Sequence, residues 1–130
     1  MSEEFKIEIV NPEKSFLSRE DVMEVIVPAF EGEMGILKDH ISIISFLKPG
    51  IITTYFKSGE EKFYVEDGIV EFKDNILSIL TSSIINLKEM EKTKVQDLIS
   101  AAEKDTSKPD ISDQSKYILD QKIEVLRNLN

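Results

Sequence analysis

The chain has 130 residues, 41% of them apolar, with five glycines, four prolines and no cysteine. That length holds one domain with at most a small appendage, and the missing cysteines exclude disulfide frameworks, thiolate nucleophiles and thiolate-held metals. The 25 acidic and 16 basic residues give a formal charge of −9, which repels phosphate backbones and anionic headgroups and so argues against general nucleic-acid or lipid-surface binding.

The start, Met1-Ser2-Glu3-Glu4, is acidic where a targeting peptide would be basic. The longest apolar run, Val25 to Phe30, is far shorter than the roughly 18 residues of a membrane span. From Phe5 the pattern is that of short strands. Phe5-Lys6-Ile7-Glu8-Ile9 alternates cleanly, and Asn11-Pro12 closes it. Further β-rich runs cover 21–28, 41–47, 51–57, 61–65, 69–72 and 76–81. Turn signals separate them at Glu31-Gly32, Pro49-Gly50, Ser58-Gly59, Asp67-Gly68 and Asp74-Asn75. The spacing predicts an antiparallel β-sandwich over residues 1–86. Two runs are apolar on both sides: Val22 to Val27, and Ile41 to Phe46, where Ile44 and Phe46 oppose Ile41 and Ile43. A free-standing sandwich has polar outer faces, so helices or another chain must cover one of these sheets.

The texture changes near residue 86. No glycine follows Ile85, and Leu87, Met90, Val95, Leu98, Ile99 and Ala102 fall at helical spacing. Asn86 is placed to cap this helix, with Glu89 as its capping-box partner. Asp105 to Pro109 breaks the pattern, and a second stripe runs from Ile111 through Ile118, Ile123 and Leu126 to Leu129. Residues 87–130 therefore read as an antiparallel two-helix hairpin. It buries too little to stand alone and must lean on the β-domain or a partner. Nearly all the net charge lies before it: residues 1–86 hold 16 acids and 8 bases, residues 87–130 hold 9 and 8.

Signs of chemistry are few. His40 is the only histidine, and without a second one or any cysteine a metal site has only scattered carboxylates. Ser45-Phe46-Leu47-Lys48 spells Ser-x-x-Lys, but in a strand and without its companion motifs. Neither phosphate-cradling glycine pattern occurs among the five glycines. No catalytic residue, cofactor or metal is expected. The stretch from Glu31 to His40 stands out, with Gly32 and Gly35 flanked by acids and lying between strands. It reads either as a tight turn with a satisfied histidine or as a contact loop for a partner.

Glu31-Gly32, Gly35-Ile36, His40 and Leu47-Lys48-Pro49-Gly50 fall in the register of a signature of the epsilon subunit of F-type ATP synthases, and the chain resembles that family. The early strand Phe5 to Val10, Phe16-Leu17-Ser18, the Tyr64 to Glu71 segment and the two terminal helices extend the resemblance over the whole length. It implies an N-terminal β-sandwich and a C-terminal helical hairpin. It also implies a non-catalytic subunit of the proton-translocating synthase, seated on the central stalk with gamma above the c-ring and turning with them. The membrane association would be through the complex alone, on the cytoplasmic side of the bacterial inner membrane. Matched by position, Glu31, Gly32, Glu33 and His40 would face the c-ring, and Asn11, Phe16 and Ser45 would face gamma; the alpha and beta heads would be reached through the hairpin.

The chain departs from the family in three places. His40-Ile41-Ser42 replaces a His-Ala-Pro sequence, and Asp67 stands before Gly68 where a Gly-Gly pair is common. Ile85 to Met90 lacks the Asp and Arg of the Ile-Asp-x-x-Arg-Ala motif of ATP-binding members. On the second helix, Lys116, Lys122 and Arg127 stand among Asp113, Asp120 and Glu124, so self-inhibition of hydrolysis by the hairpin is expected to be weak or absent. Two readings from other classes are a small β-sandwich that binds a sugar or peptide under a helical lid, and a hydrolase built on His40 and a carboxylate. The lack of Trp weighs against the first.

Overall fold

The computed structural model describes residues 3–129; of the acidic start, Met1 and Ser2 lie outside them, as does Asn130. Among the described residues nine strands precede two helices: β1 (Phe5–Val10), β2 (Ser15–Ala29), β3 (Gly32–Ile36), β4 (Ile43–Leu47), β5 (Gly50–Phe56), β6 (Gly59–Val65), β7 (Gly68–Lys73), β8 (Ile76–Leu80), β9 (Ile84–Asn86), α1 (Lys92–Thr106) and α2 (Asp113–Arg127). This is the expected sandwich followed by a hairpin.

The two layers share β2. Its first half pairs with β1, and its second half pairs with β5 and β3. The register shifts between Val22 and Glu24 against β5, the kind of irregularity that lets a strand turn from one sheet into the other. Arg19 and Asp21 mark the same corner. The Arg19 Nε donates to Asp21 Oδ1 at 2.8 Å, and its guanidinium lies 3.8 Å from the centre of the Phe56 ring. One layer therefore runs β4-β7-β8-β1 and into the start of β2; the other runs from β3 through β2, β5 and β6 to β9. β1 and β8 pair in parallel, Ile7 beside Leu77 and Ile9 beside Ile79. Between the layers lies one apolar core in which Ile7, Ile9, Val22, Val25, Ile52 and Leu77 are fully buried.

Sequence and structure differ at three elements. Residues 32–36, expected as an exposed loop, form β3. Their glycines give the segment little strand tendency of its own, and pairing with Val25–Ala29 decides its conformation. The polar stretch 15–20 is strand because it lies along β1. Asn86 ends β9 and caps a single 3-10 turn, Leu87–Glu89, accepting from the Lys88 amide at 2.9 Å; α1 starts only at Lys92, after Glu91. Leu87 and Met90 still pack where the helical stripe placed them, against the cluster beneath the hairpin.

That cluster sits on the outer side of the second layer. Ile51 and Tyr64 are cross-strand partners on β5 and β6, and Tyr64, Val95, Ile99 and Leu126 form its buried centre. The cleft between the helices pairs the end of α1 with the end of α2, and Arg127 Nη2 donates to Glu103 Oε2 at 2.6 Å. The middle of α2 lies over the sandwich, where Lys122 Nζ lies 2.7 Å from Glu66 Oε2 and Ile118 reaches a hollow beside Leu47 and Gly68. The Tyr64 hydroxyl donates to the same Glu66 oxygen at 3.1 Å, and burial pushes its pKa far up, so it remains a proton donor at every working pH.

Leu126 is fully buried where both helices meet the sheet. Leu126→Ala removes about 2–5 kcal/mol of packing there. Hydrogen exchange should then quicken across α1 and α2 while β1, β7 and β8 keep their protection.

Candidate interaction surface

The outer side of the first layer is largely open; α2 reaches only its edge, where Ile118 shares the hollow beside Leu47 and Gly68 with Phe30, Phe46, Ile69 and Leu80. Strand register arranges its side chains in rows that cross three or four strands. One row is Phe46, Ile69, Leu80 and Val10, all apolar; the next is Ile44, Glu71, Ser78 and Glu8; a third holds Lys73, Ile76 and Lys6. Phe30, whose amide donates to the Phe46 carbonyl at 3.0 Å, extends the apolar row at the β2–β3 turn. Ile44 is 70% exposed, Phe46 61%, Phe30 49%, Leu80 48% and Ile69 41%. Single exposed apolar residues are ordinary, but five side by side on a flat sheet form the kind of patch that marks an interaction surface.

An acidic turn borders this face. Phe30 and Glu31 make the turn from β2 to β3, which opens with Gly32 and Glu33, and Gly32 has φ 131°, a conformation suited to glycine. The Ser45 hydroxyl donates to Glu31 Oε1 at 2.5 Å, and this bond holds the Glu31 carboxyl below the usual carboxylate range. Two residues that the resemblance assigned to different partners are thus joined directly. Ser45 points inward and is buried, whereas its neighbours Ile44 and Phe46 point out.

His40 stands apart from the other three ring-facing candidates. It follows β3, whose five residues put about 13 Å between the acidic turn and the loop that carries it. Its ring meets Phe72 edge to face at 6.0 Å, and Nδ1 donates to the Ile41 carbonyl at 2.8 Å. The loop is tied down next to it. The Asp39 amide donates to Asn75 Oδ1 at 2.7 Å, and Asn75 Nδ2 returns a bond to Asp39 Oδ1 at 2.9 Å. Of the gamma-facing candidates, Asn11 accepts from the Glu13 and Lys14 amides at 3.0 Å and shapes the β1–β2 turn. Phe16 is partly buried and packs edge to face on Phe63, 5.5 Å between ring centres. Sequence reasoning found both sides of β4 but not Phe30, Ile69 and Leu80, whose alignment with Phe46 depends on strand pairing. Among the described residues no group of His, Asp and Glu is arranged to hold a metal.

The fold corresponds to a known class. Residues 4–87 match the family model for the ATP synthase delta/epsilon chain β-sandwich domain. The chain is 71% identical to the ATP synthase epsilon chain of Pelagibacter ubique over all 130 residues of both, and 35% identical to that of Dichelobacter nodosus over 85% of this chain and 77% of the other. Among solved structures it is similar to a chain of the Euglena gracilis mitochondrial ATP synthase OSCP/F1/c-ring assembly, with a TM-score of 0.78 at 20% identity, covering 99% of this chain and 81% of that one. A chain of the Tetrahymena thermophila mitochondrial central stalk and c-ring gives a TM-score of 0.69 at 17% identity, covering 98% of this chain and 95% of that one. These two likenesses show the fold. The chain belongs to the ATP synthase epsilon chain family. No described helix is long and apolar enough to cross a membrane.

The Glu31–Ser45 bond has a pH consequence. Because the folded carboxyl titrates below its unfolded value, its contribution to stability is complete above the unfolded carboxylate pKa and is lost as pH falls through the folded one. Ser45→Ala should return the Glu31 titration, followed by carboxyl NMR, toward the ordinary carboxylate range and remove that part of the acid sensitivity.

Proposed function

We propose that this chain is a non-catalytic rotor subunit of the central stalk, which joins gamma to the c-ring so that ion-driven rotation reaches the catalytic heads. One observation carries the reading: a sheet face of five exposed apolar side chains that the chain's own helices leave largely in water, with Ile118 reaching one edge. Gamma would cover this face, with Asn11 at its turn and Phe16 and Ser45 supporting it from beneath. The acidic turn at Glu31, Gly32 and Glu33 would stand on the polar loops of the c-ring, where carboxylates complement basic groups, and His40 would make a separate contact. Attachment to the membrane, on its cytoplasmic side in a bacterium, would be through the complex alone.

The hairpin's share in regulation is small on this reading. Of its three basic candidates on α2, Lys122 is engaged by Glu66 and Arg127 by Glu103, which leaves Lys116. In the assembled complex, replacing Lys116, Lys122 and Arg127 together with Ala should leave the ATP hydrolysis rate within about twofold of the parent; a several-fold rise would overturn this part.

The main test is recovery of partners. The tagged chain, taken from detergent-solubilised membranes of its source, should bring down gamma, alpha, beta and c. The Phe46→Asp, Ile69→Asp double variant should fold, since both side chains lie outside the core, and should lose all four. Capture of none by the parent chain, under conditions that preserve the synthase, would reject the rotor reading.

A further inference from the structure

The row next to the apolar one contains a charge with no partner. Glu71 lies on β7 between Ile44 and Ser78, one step along the strand from Ile69. It is exposed, and among the described residues its carboxylate makes no hydrogen bond and no ion pair. On β1, which lies beyond β8 in the same layer, the same two-residue spacing does give a pair, Lys6 Nζ to Glu8 Oε1 at 3.0 Å. Lys73 stands in that relation to Glu71, yet the two are not joined.

A flat surface that covers Ile44 on one side and Ile69 and Leu80 on the other also covers Glu71. A carboxylate taken out of water without a counter-charge is costly, whereas one that meets a guanidinium or ammonium group is compensated and fixes the register of the contact. We propose that Glu71 is the specificity-determining residue of this face, and that the covering partner places an Arg or Lys side chain over it, framed by apolar contacts to Ile44, Ile69 and Phe46. The inference rests on the reading of the face as the gamma contact and adds the chemistry of the partner's segment: apolar, with one cation set among its apolar side chains. The charge of the sandwich, 16 acids against 8 bases, also steers a basic segment toward it.

The test uses the full-length chain and the purified gamma subunit of the same source, with affinity measured at low and at physiological salt. Glu71→Gln keeps shape and size at an exposed position. It should weaken binding by about 30-fold and flatten the salt dependence, while Glu71→Lys should abolish binding. Phe46→Asp serves as the control on the face. If Phe46→Asp abolishes binding while Glu71→Gln stays within about twofold of the parent, Glu71 is solvated in the complex and the inference fails with the gamma reading intact. If Phe46→Asp also binds like the parent chain, gamma does not sit on this face and the reading beneath the inference falls.

Discussion

A small sandwich followed by only two helices can cover one of its sheets and no more. Everything else in this structure follows from which sheet is covered. Ile51 and Tyr64 lie under the hairpin, while Phe46, Ile69 and Leu80 remain in water. Each large apolar side chain taken fully from water contributes about 1.5–3 kcal/mol. Part of that gain is spent on the lost freedom of association. Five such side chains on a rigid sheet suffice for a persistent contact but are too few to fold anything, which fits a surface made for another chain.

The hairpin is attached by more than apolar contact. α2 lies over the sandwich for most of its length, and the Tyr64 hydroxyl and the Lys122 ammonium converge on one oxygen of Glu66. Apolar packing alone tolerates sliding, but two donors that share one acceptor set the position of the helix along its axis. The acceptor stands just after the end of β6, so the sheet's own register is passed to the helix. A basic residue held in this way is withdrawn from any other encounter.

Much of the fold was legible. The alternation at Phe5 to Ile9 and the apolar runs on β5 to β8 led to the strands found there, because their side chains bury by the same two-residue period that identifies them. β3 was not legible: Gly-Glu-Met-Gly-Ile has no local reason to be a strand and becomes one by lying against Val25–Ala29. The start of α1 was misplaced because Leu87 and Met90 are apolar for the sake of the hairpin's core, and the sequence does not tell a 3-10 turn from a helix that buries the same face. For the interaction surface, the double-sided β4 gave warning, but the partners of Phe46 come from strands that lie far along the chain. The bond from Ser45 to Glu31 spans fourteen residues and had no signature, and the family signature that grouped His40 with Glu31 concealed their separation by a whole strand.

The parallel pairing of β1 with β8 has a consequence for how the molecule comes into being. Phe5–Val10 leaves the ribosome first and finds a lasting neighbour in β2, but its other edge stays open until Ile76–Leu80 has been made. The uncovered sheet is closed by these late pairings, whereas β5 and β6 can pair at once through the short turn that joins them. The layer that the helices leave open is therefore completed only when β8 has been made. A nascent chain stalled before residue 76 would hold β1 beside β2 and β4 beside β7, with no β8 to join β7 to β1.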